Sequence, residues 1–345
     1  MIYGIDIGGT KIEFACFDAD LSKLESERVA TPVDDYKKFI DILAGLVENA
    51  DRRHDCRGQV GIGMPGLIDA DGRSLSANIV CASGKNVAES LAARLGRPVS
   101  VENDCRLFAL SESRGGAGEG FRRVYGAVLG TGAAGGLVID GSLYRGRQGI
   151  AGEYGHHPLP ASLQEKYRLP LRPCGCGLHG CLETYIAGPG LAALHRHLAG
   201  EDIEIPELVR RWRDGNRRAL QTRALHLDLL GAAFANLVMA HDPDIFVLGG
   251  GLSRIEEFYR DLPGAIEKHL FAGFSAPPLA PPKFGDASGA AAPPCSLSRP
   301  KISINEDIQL LPQGRAHHCR KRGPGRSLPA YRKRPHCRHR GGTRR

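Results

Sequence analysis

The sequence lacks an uninterrupted apolar run long enough to cross a bilayer, which takes about 20 consecutive predominantly apolar residues. Its first residues, MIYGIDIGGTK, also lack the pattern of a secretory signal peptide, because an acid and several glycines interrupt the apolar stretch. We therefore predict a cytoplasmic protein that has no membrane partner.

The spacing of the ten cysteines also does not indicate a disulfide framework. In a reducing compartment, closely spaced cysteines are metal ligands or catalytic groups rather than disulfides. Only Cys174, Cys176 and Cys181 lie close together in the sequence. The cysteines interpreted as ordinary thiols are Cys16, Cys56, Cys81 and Cys105.

An excess of positive charge is missing outside the end of the chain, although the net charge is +8. Residues 291–345 hold 14 of the 46 basic and 2 of the 38 acidic residues, so they carry +12 and residues 1–290 carry −4. A nucleic-acid groove needs basic residues on one folded face. We therefore expect no nucleic-acid partner for the folded body. We interpret the basic tail as disordered, in preference to a nucleic-acid or membrane-surface arm, which its charge alone would allow.

Neither of the commonest nucleotide motifs, the Walker A loop and the G-x-G-x-x-G fingerprint, is present. Two other glycine-rich turns, each between two apolar strand patterns, replace them. Their backbone N–H groups can form an anion nest, and glycine lets a ligand come close. The turn residues predicted to bind a nucleotide are Asp6, Gly8, Gly9, Thr10 and Lys11 in the first, and Gly130, Thr131, Gly132 and Gly135 in the second.

Strand patterns alternate with helical patterns along the chain, which indicates an α/β fold. Helices are predicted at 36–47, 183–199, 205–213 and 217–240, and strands at 59–63, 98–102 and 244–248. The length of 345 residues allows two cores. We place one domain at 1–117, a second with the cysteine loop at 118–290, and the tail at 291–345.

The three clustered cysteines lie in the glycine-rich loop PCGCGLHGC, which can wrap around a small ion. Tetrahedral Zn²⁺ requires a fourth ligand, and His156, His157 and the nearer His179 are the candidates. Spacing alone leaves this choice open. A closed site with four protein ligands would be structural, because no position is left for a reactive water.

The motifs DIGGTK, IGMPG, Asn103-Asp104, LGTG, GEYGHH and CGCGLHGC-LE occur in the order seen in the ROK family of repressors and sugar kinases, which this chain resembles from residue 1 to about 290. The resemblance implies the actin-like ATPase (ribonuclease H-like) fold, in which two α/β domains close over ATP and a sugar. It also implies that His156 completes the zinc site, that Mg²⁺ accompanies ATP, and that the protein is a homodimer.

The resemblance further implies a role for each residue of the sugar pocket. Asp104 would accept the proton of the sugar hydroxyl. The residues expected to contact the sugar are Gly66, Asn78, Ser83, Asn103, Asp104, Glu153, His156 and Glu183. The residues expected on the adenosine side are Gly249, Gly250 and Gly251.

The segment from Asn78 to Lys85 is similar to that of the N-acetylglucosamine-directed members of the family. We therefore expect N-acetyl-D-glucosamine as the substrate and its 6-phosphate as the product. Glucokinase or fructokinase activity is the alternative within the family. A sugar-sensing repressor is less consistent, because such repressors carry a helix-turn-helix domain ahead of the first hairpin, and an inactive pseudokinase is the remaining alternative.

Three features depart from the family pattern. Ala134 stands at a usual glycine, so we expect an altered second turn. Cys105 and Arg106 replace the small residue and the asparagine that commonly follow Asn-Asp. After residue 290 the sequence no longer continues into the helix typical of the family, as a reading-frame shift would produce, and lower stability is expected.

Overall fold

The computed structural model describes residues 1–20 and 22–285. The predicted disordered tail and the last residues of the predicted second domain lie outside this part of the chain. Within the described residues the strands are β1 (Ile2–Ile7), β2 (Lys11–Phe17), β3 (Lys23–Ala30), β4 (Gln59–Met64), β5 (Leu67–Ile68), β6 (Ser74–Leu75), β7 (Val99–Asn103), β8 (Arg123–Leu129), β9 (Ala133–Ile139), β10 (Ser142–Tyr144), β11 (Ile245–Gly249) and β12 (Leu279–Ala280). The helices are α1 (Tyr36–His54), α2 (Val87–Leu95), α3 (Asp104–Ser113), α4 (Ala161–Tyr167), α5 (Glu183–Ile186), α6 (Gly188–Ala199), α7 (Ile205–Arg213), α8 (Arg217–His241) and α9 (Glu256–Glu267).

The first sheet has the strand order β3-β2-β1-β4-β7. β1 and β2 form the predicted antiparallel hairpin, and β4 and β7 continue the sheet parallel to β1. The carboxyl ends of β1, β4 and β7 therefore lie along one edge. This edge carries Asp6, the second-to-last residue of β1, and Asn103, the last residue of β7.

The second sheet repeats this plan in the order β10-β9-β8-β11-β12. β8 and β9 form an antiparallel hairpin around the second glycine turn, and β11 runs parallel to β8. The structure thus confirms the hairpin and the strand predicted for this half. Ala134 lies within β9, opposite Val128, and not in the turn itself.

The predicted helix at 36–47 is present and continues to His54. It begins after Asp35, whose carboxylate accepts a hydrogen bond of 3.0 Å from the backbone N–H of Lys38, as at a normal N-cap. It ends at Asp55 in the left-handed conformation. Phe39 and Leu43 of this helix are fully buried in the core of the first sheet.

Helix α3 connects the two sheets. It begins directly after β7 of the first sheet, but its buried residues Leu107 and Phe108 pack with Val124 and Val247 of the second sheet. The start of this helix, with Asp104, therefore lies where the edge of the first sheet meets the second.

The predicted helix at 183–199 is in fact two helices, α5 and α6, separated at Ala187. Ala187 is extended, with ψ 171°, and Pro189 stands in the first turn of α6, where its fixed φ suits a helix start. The N–H of Gly188 donates to the carbonyl of Gly130 at 2.8 Å. The break thus attaches this helix pair to the second glycine turn.

Helix α8 is, by length and composition, the one helix among the described residues that could span a membrane. More than half of that stretch is buried inside the protein, however. Its residues Leu225, Leu229 and Phe234 belong to the core that α5 to α9 form with the second sheet. Its apolar composition is therefore accounted for by packing.

Candidate active site

A cavity of about 560 Å³ opens where the carboxyl edge of the first sheet meets the second hairpin. Most of the site residues predicted from the sequence line this cavity. The predicted residues that line it are Asp6, Gly8, Gly9, Gly66, Asn78, Asn103, Asp104, Gly130, Thr131, Gly132, Glu153, His156, Glu183 and Gly250.

The first glycine turn is closed by a hydrogen bond of 2.8 Å from the N–H of Gly8 to the carbonyl of Lys11. Thr31 also donates its hydroxyl to the carbonyl of Gly8, at 2.7 Å. Asp6 enters the cavity beside this turn. Burial, with a smaller contribution from the charge of Asp104, raises the pKa of Asp6 to about 6. A cation near Asp6 would favour its charged form.

Asp104 is the first residue of α3, so its carboxylate lies at the positive end of a helix. One oxygen accepts hydrogen bonds from the N–H of Cys105 at 2.8 Å and from the amide of Asn103 at 3.1 Å. Burial raises the pKa of Asp104, and the bonds to Cys105 oppose that shift. The carboxyl group is thus held in a fixed orientation and is suited to accept a proton.

Asn103 organises the floor of the cavity. Its side-chain oxygen caps α3 by accepting from the N–H of Arg106 at 3.0 Å, and its amide also donates to the carbonyl of Gly66 at 2.9 Å. Gly66 has φ +98°, and a Cβ atom there would lie 2.3 Å from the carbonyl oxygen of Leu75. Only glycine fits this position. The hydrogen bond from Asn103 to Gly66 therefore fixes the loop after β4 to the start of α3.

The second glycine turn is closed by a hydrogen bond of 2.9 Å from the N–H of Gly130 to the carbonyl of Gly132. The N–H of Ala133 donates to a carboxylate oxygen of Glu183 at 2.9 Å. Gly250, with φ +76°, packs its backbone against this turn, since a Cβ atom there would lie 2.5 Å from the carbonyl of Leu129. The loop after β11 therefore lies directly against the turn.

A larger cavity of about 1110 Å³ shares Gly130 and Thr131 with the first one. Its walls come from the short 3₁₀ helix Gly251–Arg254 and from helices α6 and α7. Apolar side chains, among them Ile205, Val209 and Leu252, line part of it. The two cavities together extend from Asp104 past the second glycine turn.

The donor atoms of His156, Cys174, Cys176 and Cys181 all lie within 4.8 Å of one another. The Cys174 sulfur is 3.6 Å from Nδ1 of His156, and the sulfurs of Cys176 and Cys181 are 3.6 Å apart. Tetrahedral Zn²⁺ with Zn–S bonds of about 2.3 Å requires ligand separations of about 3.8 Å. This donor set therefore fits zinc, and neither His157 nor His179 belongs to it.

Glu153, which precedes His156, and Glu183, which follows Cys181, place two carboxylates in the cavity. Burial raises the pKa of Glu153, whereas the charges of Arg106 and His156 oppose that shift. Oε1 of Glu153 is buried and has no hydrogen-bond partner among the described residues. Both carboxylates can accept hydrogen bonds from ligand hydroxyls.

Several residues predicted for the site do not line the smaller cavity, because they make hydrogen bonds or close packing contacts within the fold. Ser83 donates its hydroxyl to the carbonyl of Ser76 at 2.8 Å and accepts from the N–H of the same residue at 3.0 Å. A Cβ atom at Gly249 would lie 2.7 Å from the ring of Phe108. A Cβ atom at Gly135 would meet the carbonyl of Gly126 at 2.4 Å. These two glycines therefore serve packing.

The other predicted nucleotide residues differ in position. Thr10 and Lys11 are exposed and do not line the smaller cavity, whereas Gly251 lines the larger one.

From the sequence, Cys105 is interpreted as an ordinary thiol, and both Cys105 and Arg106 are departures from the family pattern with no role in the site. In the structure Cys105 lines the cavity, and Arg106 lies beneath it, 3.9 Å from Glu153. The available signal was the sequence DCRLFALS, in which a single arginine follows Asp104 within an otherwise apolar helix segment. A charged residue in such a place requires buried polar partners.

Two sheets that each carry a hairpin with a glycine turn, facing a shared cavity, define the actin-like ATPase fold. The family model described as "ROK family" matches residues 2–292, and the chain belongs to this family. The α/β actin-like fold that the resemblance implies is therefore confirmed.

Curated relatives cover most of the chain. An N-acetylgalactosamine kinase of a Shewanella species is 47% identical over 289 residues, which are 84% of this chain and 94% of the relative. An N-acetyl-D-glucosamine kinase of Photobacterium profundum is 42% identical over 294 residues, with 84% and 96% covered.

Solved structures are also similar to this chain. A ROK hexokinase from Thermus thermophilus has a TM-score of 0.73 at 33% identity, with 84% of this chain and 96% of that chain covered. A ROK family glucokinase from Streptomyces griseus, in complex with glucose and AMPPNP, has a TM-score of 0.67 at 29% identity, with 84% and 97% covered.

Proposed function

We propose that this protein transfers the γ-phosphoryl group of ATP to the C6 hydroxyl of N-acetyl-D-glucosamine. The observation that carries the proposal is that Asp104 shares one cavity with both glycine turns. Phosphoryl transfer requires mainly alignment of the reactants and neutralisation of charge, together with a carboxylate near the attacking hydroxyl. The shared cavity supports alignment of the reactants and provides the carboxylate, and Mg²⁺ would supply the neutralisation of charge.

In the proposed reaction the C6 oxygen attacks the γ-phosphorus, and the bond from that phosphorus to the β,γ-bridging oxygen breaks. ADP leaves with the bonding electrons, and Asp104 accepts the hydroxyl proton. Hydrogen bonds from Cys105 and Asn103 hold the carboxylate in place while it does so. The N–H groups of the two glycine turns, other than those of Gly8 and Gly130 that close the turns, would bind the phosphate oxygens.

The larger cavity is the proposed place of the adenosine. It adjoins the second glycine turn through Gly130 and Thr131, and its wall includes Gly251. Apolar side chains such as Leu252 and Val209 offer a surface for a base. Asp6 would hold Mg²⁺, directly or through water, next to the first turn.

Zinc would be held by His156, Cys174, Cys176 and Cys181, whose mutual distances fit a tetrahedral site. Bound Zn²⁺ would cross-link the loop and take no part in the reaction. The same His156 lines the sugar cavity, and Glu183 lies 3.8 Å from the Cys174 sulfur through its Oε1. The zinc loop is therefore proposed to shape the sugar pocket.

The sugar would be recognised by Asn103, Glu153, His156 and Glu183, which offer amide, imidazole and carboxylate groups for its hydroxyls. Gly66 and Asn78 complete the wall. N-acetyl-D-galactosamine is a second candidate substrate, because the relative with 47% identity acts on it by name. The two sugars differ only in the configuration at C4.

A coupled assay of ADP release tests the proposal with five sugars: N-acetylglucosamine, N-acetylgalactosamine, N-acetylmannosamine, glucose and fructose. The expected result is the highest kcat/KM for N-acetylglucosamine, with ³¹P NMR identifying the 6-phosphate. A higher kcat/KM for N-acetylgalactosamine would assign the second candidate, and fastest turnover of fructose would contradict both.

Isothermal titration with ATP and with each sugar distinguishes a pseudokinase from an enzyme, since a pseudokinase would bind without turnover. A cytoplasmic homodimer is also part of the proposal. Size-exclusion chromatography with light scattering measures the oligomeric state, and a mass near 37.1 kDa would identify a monomer instead.

A further inference from the structure

Arg106 is a fully buried arginine two residues after the proposed base, with 0% of its surface exposed. Burying a guanidinium group is unfavourable unless charged and polar partners surround it. The reaction proposed above does not use this residue. Its environment therefore calls for an explanation of its own.

Three of its partners fix the plane of the guanidinium. Nη1 donates to Oε1 of Glu102 at 3.2 Å, and Nε donates to the carbonyl of Ala151 at 3.2 Å. Nη2 donates to the carbonyl of Gly149. The side chain thus joins the end of β7 to the segment 149–151, because a rigid planar fork bonds both at once.

A fourth neighbour lies in the sugar cavity. Oε1 of Glu153 is 3.9 Å from Nη2 of Arg106, which is within ion-pair distance but too long for a hydrogen bond. That oxygen is buried, and no described residue donates a hydrogen bond to it. A buried carboxylate oxygen without a donor is costly. Arg106 supplies the opposite charge on this buried side, and the exposed part of the Glu153 side chain, 14% of its surface, is left to accept a hydrogen bond from the hydroxyl of a ligand in the cavity.

We propose that Arg106 is a positioning residue for the sugar, which holds the segment 149–153 against the cavity and directs the Glu153 carboxylate toward a sugar hydroxyl. The inference rests on the proposed function. Arg106 acts through Glu153, and none of its four contacts involves a residue of either glycine turn. Loss of Arg106 therefore weakens recognition of the sugar and leaves recognition of ATP intact.

A matched control is available on the same carboxylate. Glu102 also pairs with Arg145, which is 45% exposed and has no described contact with Glu153. Arg145→Met removes one arginine from Glu102, as Arg106→Met does, but leaves the partner of Glu153 in place. Any effect that comes only from disturbing Glu102 appears in both variants.

The experiment measures kcat and both KM values for wild type, Arg106→Met, Arg106→Lys, Arg145→Met, Glu153→Gln and the double variant Arg106→Met/Glu153→Gln. Arg106→Met is expected to raise the KM for N-acetylglucosamine roughly tenfold, the size of one lost hydrogen bond to a charged group. The KM for ATP stays within about twofold. Arg106→Lys recovers part of the loss, and Arg145→Met matches the wild type.

The double variant gives the decisive comparison, because residues that act through one another show non-additive effects. Its sugar KM is expected to equal that of Glu153→Gln. Independent, multiplying effects would overturn the inference, and so would parallel rises of both KM values. Should Arg106→Met fail to fold by circular dichroism, Arg106→Lys, alone and combined with Glu153→Gln, provides the same comparison.

Failure of the inference and failure of the proposed function give different results. An active wild type whose sugar KM is unchanged by Arg106→Met contradicts only the role of Arg106. A wild type that neither phosphorylates nor binds any N-acetylhexosamine, by titration calorimetry, contradicts both.

Discussion

The carboxylate of Glu183 joins Cys174 of the cysteine loop to the second glycine turn. One oxygen accepts a hydrogen bond of 2.9 Å from the N–H of Ala133, and the other lies 3.8 Å from the sulfur of Cys174. A single side chain therefore contacts both the proposed metal site and the proposed phosphate site. The two parts of the pocket are positioned by the same group.

Glu183→Ala should lower kcat/KM for ATP by about 10- to 100-fold, because the buried N–H of Ala133 loses its acceptor and the turn loses its fixed shape. Glu183→Gln should be milder, since the amide oxygen can still accept from Ala133. Steady-state kinetics with varied ATP measures both. Equal activity of Glu183→Ala and wild type would show that the turn does not need this bond.

Asp104→Asn should reduce kcat by about 10²- to 10⁴-fold, the usual contribution of general base catalysis. The substitution preserves the size of the side chain and an oxygen that can accept from Cys105, so sugar binding by calorimetry should persist. Asp140→Asn is the control, since Asp140 is exposed and remote, and asparagine tolerates its positive φ. Full activity of Asp104→Asn would exclude the role.

Removal of zinc should lower the thermal stability and the sugar affinity together, since His156 belongs to both sites. Cys176→Ser should lose the bound zinc, measured by mass spectrometry as about one ion per chain in the wild type. Cys81→Ser is the matched control, because its thiol donates only to the carbonyl of Pro32, as a hydroxyl can. A zinc-free wild type with full stability would contradict the site.

Asp6 should make stability depend on pH. Burial raises its pKa from 3.8 to about 6, so the folded state binds the proton more tightly than the unfolded state does. The contribution is complete below pH 3.8 and is lost as the pH rises through about 6, in total roughly 3 kcal/mol. Urea unfolding of wild type and Asp6→Asn without Mg²⁺, from pH 4 to 7, measures it. Parallel curves would contradict the shift.

Gly66→Ala should destabilise the protein by more than about 3 kcal/mol, because the strained φ and the clash with the carbonyl of Leu75 add together. Gly84→Ala is the matched control, with φ +75° but open space around the position of its Cβ. It should cost only the conformational penalty of roughly 1–2 kcal/mol. Denaturant unfolding compares the two, and equal losses would show that the contact is unimportant.

Sequence patterns predicted the local elements well where periodicity and glycine turns are strong. Both hairpins, the helix from Tyr36 and the strand before Gly249 are in place. The single helix expected at 183–199 was wrong, since the hydrogen bond from Gly188 to Gly130 is a tertiary contact that local periodicity does not contain.

The sequence motifs predicted where the candidate site lies, but they did not predict the contacts that each residue makes there. The three cysteines were recognised from spacing, whereas the choice of His156 over His179 depends on how the chain folds back. Ser83 looked available for a ligand, yet its hydroxyl is used by Ser76. Arg106 was noticed as an exception, and only the assembled structure shows Glu102 and Glu153 around it.

Helix α3 ties the proposed proton acceptor to both halves of the molecule. This helix follows a strand of the first sheet but buries Leu107 and Phe108 among residues of the second. At its start, Asn103 also bonds the loop after β4 through the carbonyl of Gly66. A substitution in the core of either sheet can therefore displace Asp104 without touching the cavity.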